Sequence, residues 1–468
     1  MSRYLYELLD SMGIDHGESE NFTFNRLAWD TRDIDSQSLL LAIAGAHFDP
    51  HAHLESLIDQ GRIAGALCQR PLGVPRTIPI AHLEAREGEI ASWAYDNPSA
   101  HLKVVGVTGT NGKSSTVRFL EQVYLSLGYR TATIGTLGCT RNGEPWLPLA
   151  NTTPRAAQLQ HILACCRQQK IQYVFLEVSS HALALGRVEH ITFHAAIFTN
   201  LTPDHLDFHN TMSDYLHAKM KLFDPAPPIA LLHRQRIPLE QEPKAGIVSF
   251  GSQATGPFQA SDEEVDQKGI SFRMAKQQFH SSLRGRGNLE NIQGVVAFAL
   301  LDGQNSQQVS AAVAQLQPID GRLMPVVSRD KLAIVDYAHT PDALQQLLTS
   351  AREMCQGRLI LVFGCGGERD QSKRPVMGEI ASQLADMCIV TDDNPRSEDP
   401  GTIASQILAT MDPTKSHLIH DRHQAISEAR QLAGPEDLVI IAGKGHEKTQ
   451  TYSDRTILFS DKDSFQSE

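Results

Sequence analysis

What the chain lacks narrows its class before any motif is read. No stretch approaches the run of about 18 consecutive apolar residues that a membrane-crossing helix needs, so no membrane span is expected. The first residues, MSRYLYELLDSMGIDHGE, have no continuous apolar core and no small-residue cleavage site, and read as a first helix rather than a signal peptide. Basic residues are in deficit: 42 Lys and Arg face 54 Asp and Glu, a formal net charge of −12. Non-specific nucleic-acid binding needs clustered cations, so no nucleic-acid partner is expected. The seven cysteines (Cys68, Cys139, Cys165, Cys166, Cys355, Cys365, Cys388) are odd in number, scattered and without Cys-x-x-Cys spacing. That argues against a disulfide framework or zinc site and fits reduced, mostly buried thiols in a cytoplasmic protein. Internal repeats and low-complexity segments are also missing.

What is present is ordinary in bulk and specific in detail. With 468 residues, 41% hydrophobic and 21% charged, the chain has length for two or three globular domains. The most informative stretch is residues 102–120, LKVVGVTGTNGKSSTVRFL. Leu102 to Val107 is an apolar, β-branched run of the kind that forms a buried parallel strand. Gly106, Gly109 and Gly112 break it, and a helical pattern starts at Ser114. Strand, glycine-rich turn and helix together cradle phosphate, because backbone N–H groups and the helix dipole favour an anion there. Gly109, Thr110, Asn111, Gly112, Lys113, Ser114 and Ser115 are thus candidate ligands of ATP or GTP. Lys113 would reach the outer phosphates, and the hydroxyl of Ser114 or Ser115 would bind Mg²⁺. Val107 occupies the place of the first glycine in a strict Walker motif.

Residues 1–100 lack a phosphate loop and read as a small α/β unit, with strands at Leu39–Ala44 and Ile63–Cys68, helical patterns at Ala52–Gln60 and Ala91–Tyr95, and a linker at Asn97-Pro98-Ser99. Trp29-Asp30-Thr31-Arg32 is either a turn held by an Asp–Arg pair or a substrate contact. After the phosphate loop, the strand-like runs Val174–Val178 and Ala195–Phe198 end in the polar clusters 177–181 and 199–205. Ligands sit at the carboxyl ends of strands in open parallel sheets, which places Glu177 and His205 where Mg²⁺ ligands are expected. Lys219 lies on a helix, where a lone lysine is usually solvated. The pattern weakens between 227 and 279, as peripheral strands and loops would. Asn288 and Asn291, before the apolar helix Val295–Leu301, either contact nucleotide or cap the helix. A second doubly wound unit begins near Asp320, with strands at Leu332–Tyr337, Leu359–Gly364, Met387–Thr391 and Leu438–Ala442. Each ends in a polar or glycine-rich motif, so four motifs should meet at one sheet edge. The tail from Tyr452 is polar and reads as partly mobile.

The ordered set GTNGKSS, NTTP, EVSSHAL, FTNLTPDHLDFH, YLHAK, DYAHTPDAL, FGCGGERDQSKRP, DDNPR and AGKGHE resembles the Mur ligases, and within them the diaminopimelate-adding branch. The likeness runs from about residue 25 onward and is dense over 106–209 and 336–447. It implies an α/β fold of three domains: a small N-terminal UDP-substrate domain (1–100), a central P-loop ATPase-type parallel sheet (101–318) and a Rossmann-like amino-acid domain (319–468). It further implies an ATP-dependent amide-bond ligase of peptidoglycan synthesis, joining meso-diaminopimelate to a UDP-muramoyl dipeptide through an acyl phosphate. Lys113, Glu177, His205 and Lys219 would then be catalytic. Mg²⁺ would be held by Ser114, Glu177, His205 and a carbamylated Lys219. Asn291, Arg322 and Asp336 join the ATP ligands, while Thr31, Asn151, Thr152, Thr153, Ser179 and Arg187 face the UDP-substrate. Arg369, Asp393, Asn394, Pro395, Arg396, Gly443 and Glu447 face the amino acid, with Arg396 gripping its distal carboxylate. A monomer is expected. The chain departs from the family at Leu185 (usually Gln), Gly287 (commonly Phe), Met324 (usually acidic), Thr31 and Pro50. These departures leave a rival reading, a related ligase acting on a different carboxylate.

Overall fold

The computed structural model describes residues 2–17, 19–45, 48–237, 246–266 and 268–467. Strands β1 (Arg3–Tyr4) and β2 (Thr23–Phe24) pair beside a parallel sheet of β3 (Arg26–Ala28), β4 (Ser38–Ala42), β5 (Gly65–Cys68) and β6 (Thr77–Pro79), in that order. The largest sheet contains β7 (Lys103–Thr108), β8 (Thr131–Gly135), β9 (Gly138–Arg141), β10 (Glu144–Leu147), β11 (Tyr173–Glu177), β12 (Phe193–Phe198), β13 (Ile229–His233) and β14 (Ile247–Phe250). Its order is β10-β9-β8-β11-β7-β12-β13-β14, with β11 parallel to both β7 and β8. A meander follows: β15 (Ser261–Asp266), β16 (Gly269–Met274) and β17 (Gln277–Ser281). The last large sheet holds β18 (Met324–Ser328), β19 (Lys331–Asp336), β20 (Leu359–Phe363), β21 (Met387–Val390), β22 (Ser416–Leu418) and β23 (Leu438–Ala442), in the order β18-β19-β23-β20-β21-β22. Only β18 is antiparallel to its neighbour. The hairpin β24 (Thr449–Thr451) and β25 (Thr456–Leu458) precedes a short final helix, Asp461–Gln466. The α/β class and the parallel central sheet are as the sequence implies.

The chain divides into two compact units. One comprises Met1–Thr108, Gly128–Ala196 and His217–Ala230; the other comprises Gly109–Leu127, Ile197–Leu216 and Leu231–Glu468. In the first, alternate residues of the four-stranded sheet feed two cores. Leu39, Leu41 and Leu67 pack with the helices Leu5–Ser11 and Leu83–Ala94, while Leu40, Ala42 and Ala66 pack with the helix Leu54–Asp59. The six-stranded sheet of the second unit repeats this logic. Leu359, Leu361 and Phe363 enter the core with Leu344, Leu347 and Leu348; Ile360 and Val362 enter the opposite one with Ile426 and Phe465. Side chains alternate across a strand, and helices on both faces require both sets to be apolar. That is why these strands read as unbroken hydrophobic runs.

Three local expectations change. The helix expected at Ala91–Tyr95 runs from Leu83 to Ala94. Asn97-Pro98-Ser99, read as a linker, leads into a single turn, Pro98–His101, that buries Pro98 and Ser99, and the Ser99 hydroxyl accepts the Thr192 N–H at 3.0 Å. The tail is packed. Phe465 and Asp461 are fully buried, and both carboxylate oxygens of Asp461 take bonds from the buried Arg422 guanidinium at 2.7 and 2.9 Å. Alternating polarity hid this, because the helix is too short to show an apolar stripe. The cysteines follow expectation: five are buried, Cys165 and Cys355 are partly buried, and all seven are free thiols.

His233, in the second unit, is 2% exposed, lies edge-on to Phe250 at 5.0 Å, and has no partner for either ring nitrogen among the described residues. Burial, with Arg236 nearby, lowers its pKa from 6.5 to about 4. The unfolded chain therefore binds a proton over that interval that the folded chain refuses. Stability is full above pH 6.5 and falls as pH drops towards 4, by about 3 kcal/mol from this residue. His233→Leu should remove that share of the difference in unfolding free energy between neutral pH and pH near 4, read by urea denaturation.

Candidate functional site

The phosphate-loop geometry lies within the second unit. Helix Lys113–Ser126 starts on Gly112, whose φ of +81° is left-handed and which brings no capping side chain to the first turn. A Cβ on Gly112 would stand 2.3 Å from Asn291 Oδ1. Only glycine therefore lets the loop close onto Asn291, whose Oδ1 also accepts the Thr116 hydroxyl at 3.4 Å. Lys113 folds back, donating to the carbonyls of Gly109 and Thr110, each at 2.8 Å. Asn111 is fixed at both ends: its N–H donates to Asn200 Oδ1 (2.8 Å), and its carbonyl accepts from Thr199 Oγ1 (2.7 Å) and Asn200 Nδ2 (3.1 Å). Its side chain donates to Asp342 Oδ2 at 3.0 Å, and Thr202 Oγ1 donates to the same oxygen at 2.7 Å. Thr110 Oγ1 donates to the Thr202 carbonyl at 3.1 Å. Ser114 and Ser115 are both buried, and Arg322 reaches Ser114 Oγ at 3.5 Å while lying over the Tyr337 ring at 4.6 Å.

Asn288 and Asn291 both lie inside the helix Arg286–Leu301, whose N-cap is Gly285, so neither caps it. Asn288 instead donates to the Arg284 carbonyl at 2.9 Å. Asp336, at the end of β19, accepts the N–H of Leu323 (2.7 Å) and of Ala338 (2.8 Å), and burial raises its pKa. His205 has a left-handed φ of +54° and lies beside Asp204, with Nε2 3.4 Å from its carboxylate.

The four strand-end motifs of the six-stranded sheet do meet. Gly443 N–H donates to the Asp336 carbonyl at 3.1 Å and Gly367 N–H to the Asn394 carbonyl at 2.9 Å. Gly443 has φ +115°, and a Cβ there would lie 2.6 Å from Asp393 Oδ2. Asn394 Nδ2 donates to Glu447 Oε2 at 2.8 Å. Arg396, at a left-handed φ of +55°, donates one guanidinium N–H to the Gly367 carbonyl at 2.6 Å and its backbone N–H to the Thr451 carbonyl at 3.1 Å; no other protein group takes its remaining guanidinium donors among the described residues. Arg369 stands beside Gly366, and the Pro395 carbonyl crosses close over Gly367. Beneath them Arg374 is fully buried, bound to Glu398 at 2.9 Å and to Gln406 at 2.7 Å.

The first unit has its own polar network. Glu177, at the end of β11, is 2% exposed; Oε1 accepts the Thr136 N–H at 2.9 Å and Oε2 the Thr136 hydroxyl at 3.1 Å. Thr152 Oγ1 lies 3.0 Å from that hydroxyl. Thr153 Oγ1 donates to the Glu177 carbonyl (2.8 Å) and accepts the Ser179 N–H (3.0 Å), and Arg187 donates to the Thr153 carbonyl (3.0 Å). Burial lowers the Arg187 pKa. No side-chain hydrogen bond joins Thr31 or Asn151 to this network among the described residues; Asp30 and Arg32 beside Thr31 form the ion pair, at 2.6 Å. Lys219, on helix Met212–Met220, is 1% exposed, which corrects the solvated reading.

Sequence reasoning missed Thr136, Asn200, Asp342 and Lys444. Asp342 could have been flagged as an acidic residue in the first turn of helix Pro341–Met354, favourable at that dipole end, but nothing local says that it reaches Asn111.

The Mur ligase middle domain matches residues 107–299, and the Mur ligase, glutamate ligase domain matches residues 321–445. The UDP-N-acetylmuramoyl-L-alanyl-D-glutamate--2,6-diaminopimelate ligase of Syntrophomonas wolfei subsp. wolfei is 38% identical over 454 residues, 93% of this chain and 92% of that protein. The ligase of the same name from Xanthomonas campestris pv. campestris is 42% identical over 448 residues, 91% of this chain and 89% of that protein. A solved structure of a ligase of that name superposes with a TM-score of 0.66 at 28% identity, covering 98% of this chain and 97% of its own.

Gly112→Ala should weaken ATP binding about tenfold or more, because a left-handed alanine costs about 1–2 kcal/mol and its methyl displaces Asn291. Calorimetric titration with ATP would read this; unchanged affinity would contradict the loop's role.

Proposed function

The chain belongs to the Mur ligase family, and from that premise we propose that it joins meso-diaminopimelate to UDP-N-acetylmuramoyl-L-alanyl-D-glutamate at the expense of ATP, in peptidoglycan synthesis in the cytoplasm. The architecture is the family's three-domain α/β one. Residues 1–100 take the UDP-substrate, 101–318 the nucleotide and 319–468 the amino acid, in a monomer. The observation that carries the reading is the meeting of Arg369, Asn394, Arg396 and Glu447 at one sheet edge, in a chain whose phosphate loop ends on an uncapped helix start. A guanidinium beside a carboxylate suits a ligand end that carries both a carboxylate and an ammonium.

In the first step the terminal carboxylate oxygen of the dipeptide attacks the γ-phosphorus of ATP, and ADP leaves. In the second, the amine of diaminopimelate attacks the acyl-phosphate carbonyl carbon, phosphate leaves, and the nitrogen loses a proton to give the amide. Phosphoryl transfer is catalysed mainly by positioning and charge stabilisation. The loop residues Gly109, Thr110, Asn111, Gly112, Lys113, Ser114 and Ser115, with Asn291, Arg322 and Asp336, hold the nucleotide. Lys113 leaves its loop carbonyls to meet the outer phosphates. Thr31, Asn151, Thr152, Thr153, Ser179 and Arg187 hold the UDP-substrate.

Among the described residues no three of His, Cys, Asp and Glu gather as metal ligands. The proposed set has only two of those types, Glu177 and His205, and completes itself with the Ser114 hydroxyl and a carbamate on Lys219. Hard oxygen donors predominate in it, which suits Mg²⁺. Bound there, Mg²⁺ would neutralise phosphate charge. Carbamylation would turn Lys219, 1% exposed, from a cation into an anion that offers oxygen donors.

Purified protein with ATP, Mg²⁺, the UDP-dipeptide and meso-diaminopimelate should release phosphate only when all are present. Turnover only with another carboxylate would overturn the acceptor. Arg396→Ala should raise the KM for diaminopimelate by about tenfold or more with the KM for ATP unchanged. Lys219→Ala should abolish most turnover and regain part of it with added short carboxylates; full activity without them would remove the carbamate from the scheme.

A further inference from the structure

Lys444, between Gly443 and Gly445 of the last strand-end motif, has no part in the scheme so far, yet it is fully buried and makes two bonds inside the amino-acid corner. Its Nζ donates to Glu447 Oε2 at 2.9 Å and to Asn394 Oδ1 at 3.0 Å. Asn394 Oδ1 also accepts the Thr451 N–H at 3.0 Å, and Asn394 Nδ2 donates to that same Glu447 Oε2 at 2.8 Å.

Two consequences follow from this triangle. Both bonds to Glu447 fall on Oε2, while its side chain keeps 31% exposure, so Oε1 is the oxygen left for a ligand ammonium. The Asn394 amide cannot flip, because two donors converge on its oxygen; its remaining N–H is a donor, suited to a carboxylate and not to an amine. Charge adds a third: the corner holds three cations, Arg369, Arg396 and Lys444, and three carboxylates, Asp393, Glu447 and Asp392, the last bonded to His420 at 2.8 Å. A lone ammonium would leave the guanidinium donors unmatched. A zwitterionic end is neutral and offers each group its complement.

We propose that Lys444 is a specificity-determining positioning residue, which by engaging half of Glu447 and locking the Asn394 amide makes this corner accept an α-amino-carboxylate end and reject a lone ammonium. The inference rests on the amino-acid-site reading above. Burial alone would raise the Glu447 pKa; the Lys444 charge, with the bonds from Lys444 and Asn394, overrides burial and holds it below the usual carboxylate range.

The test compares meso-diaminopimelate with L-lysine, which lacks the distal carboxylate, as substrates of the full-length enzyme at saturating ATP and UDP-dipeptide. In Lys444→Met, the kcat/KM ratio of diaminopimelate to lysine should fall about tenfold or more, through KM. Its KM for diaminopimelate should also rise towards acid pH as Glu447 takes a proton, whereas Lys444→Arg should keep both the ratio and the flat profile. Asn394→Asp, which replaces the locked amide donor by a carboxylate while Lys444 stays in place, should shift the ratio the same way and covers the case in which Lys444→Met does not fold. A wild-type ratio in Asn394→Asp or in folded Lys444→Met, or a loss in kcat shared equally by both amino acids, would overturn the proposal alone. A wild-type enzyme that uses neither amino acid, or both equally, would overturn it together with the site reading.

Discussion

One carboxylate oxygen carries much of the order in the phosphate-loop region. Asp342 Oδ2 accepts from Asn111, Thr202 and Gln346, at 3.0, 2.7 and 2.9 Å. Asn111 is the middle of the glycine-rich turn, Thr202 belongs to the polar cluster after β12, and Gln346 is one helical turn along from Asp342 itself. Several donors converge on this one oxygen, at a helix start where the dipole favours negative charge. The turn needs such a support. Its glycines give it the conformational freedom to wrap a phosphate, and freedom alone would leave it unordered. The side chains of Thr199, Asn200 and Asp342 hold Asn111, and Asn291 holds the Thr116 hydroxyl, so the turn is braced from outside while the first-turn N–H groups keep no side-chain cap.

The same division recurs at the other strand ends. Apolar strands fix the backbone, the turn after each strand carries the polar groups, and buried ions underneath set the turns in place. Arg374 with Glu398 supports the turns after β20 and β21, and Lys444 with Glu447 stiffens the one after β23. Such pairs add little net stability by themselves, since desolvation offsets their attraction, but removing one partner is costly. They serve geometry more than stability.

The strands were legible because a parallel strand covered on both faces has no polar positions to blur its run; Leu359–Phe363 and Leu438–Ala442 needed no interpretation. The phosphate loop was legible because its function constrains glycine, lysine and hydroxyl within a few residues. What could not be read were bonds between distant residues. Asn111 and Asp342 are 231 positions apart, and Asn394 and Lys444 are 50 apart. Local pattern also failed where one group's burial depended on another's: Lys219 reads as a solvated helix lysine, and the tail reads as polar because one of the residues it buries, Asp461, is half of an ion pair. The helix-capping reading of Asn288 and Asn291 failed for a simpler reason, a helix that begins at Arg286, more than two turns before its apolar stretch from Val295.

That ion pair bears on which parts of the protein become native together. Arg422 opens the helix that covers one face of the six-stranded sheet and also holds the Ala442 carbonyl, at 3.0 Å. Its carboxylate partner is 39 residues later, close to the end of the chain. Until Asp461 is in place, that helix can dock only with an uncompensated buried guanidinium, a state costing about 3–5 kcal/mol relative to the paired one. The turn that follows Ala442 therefore becomes native only together with the closing helix Asp461–Gln466, so the two fold as one cooperative piece.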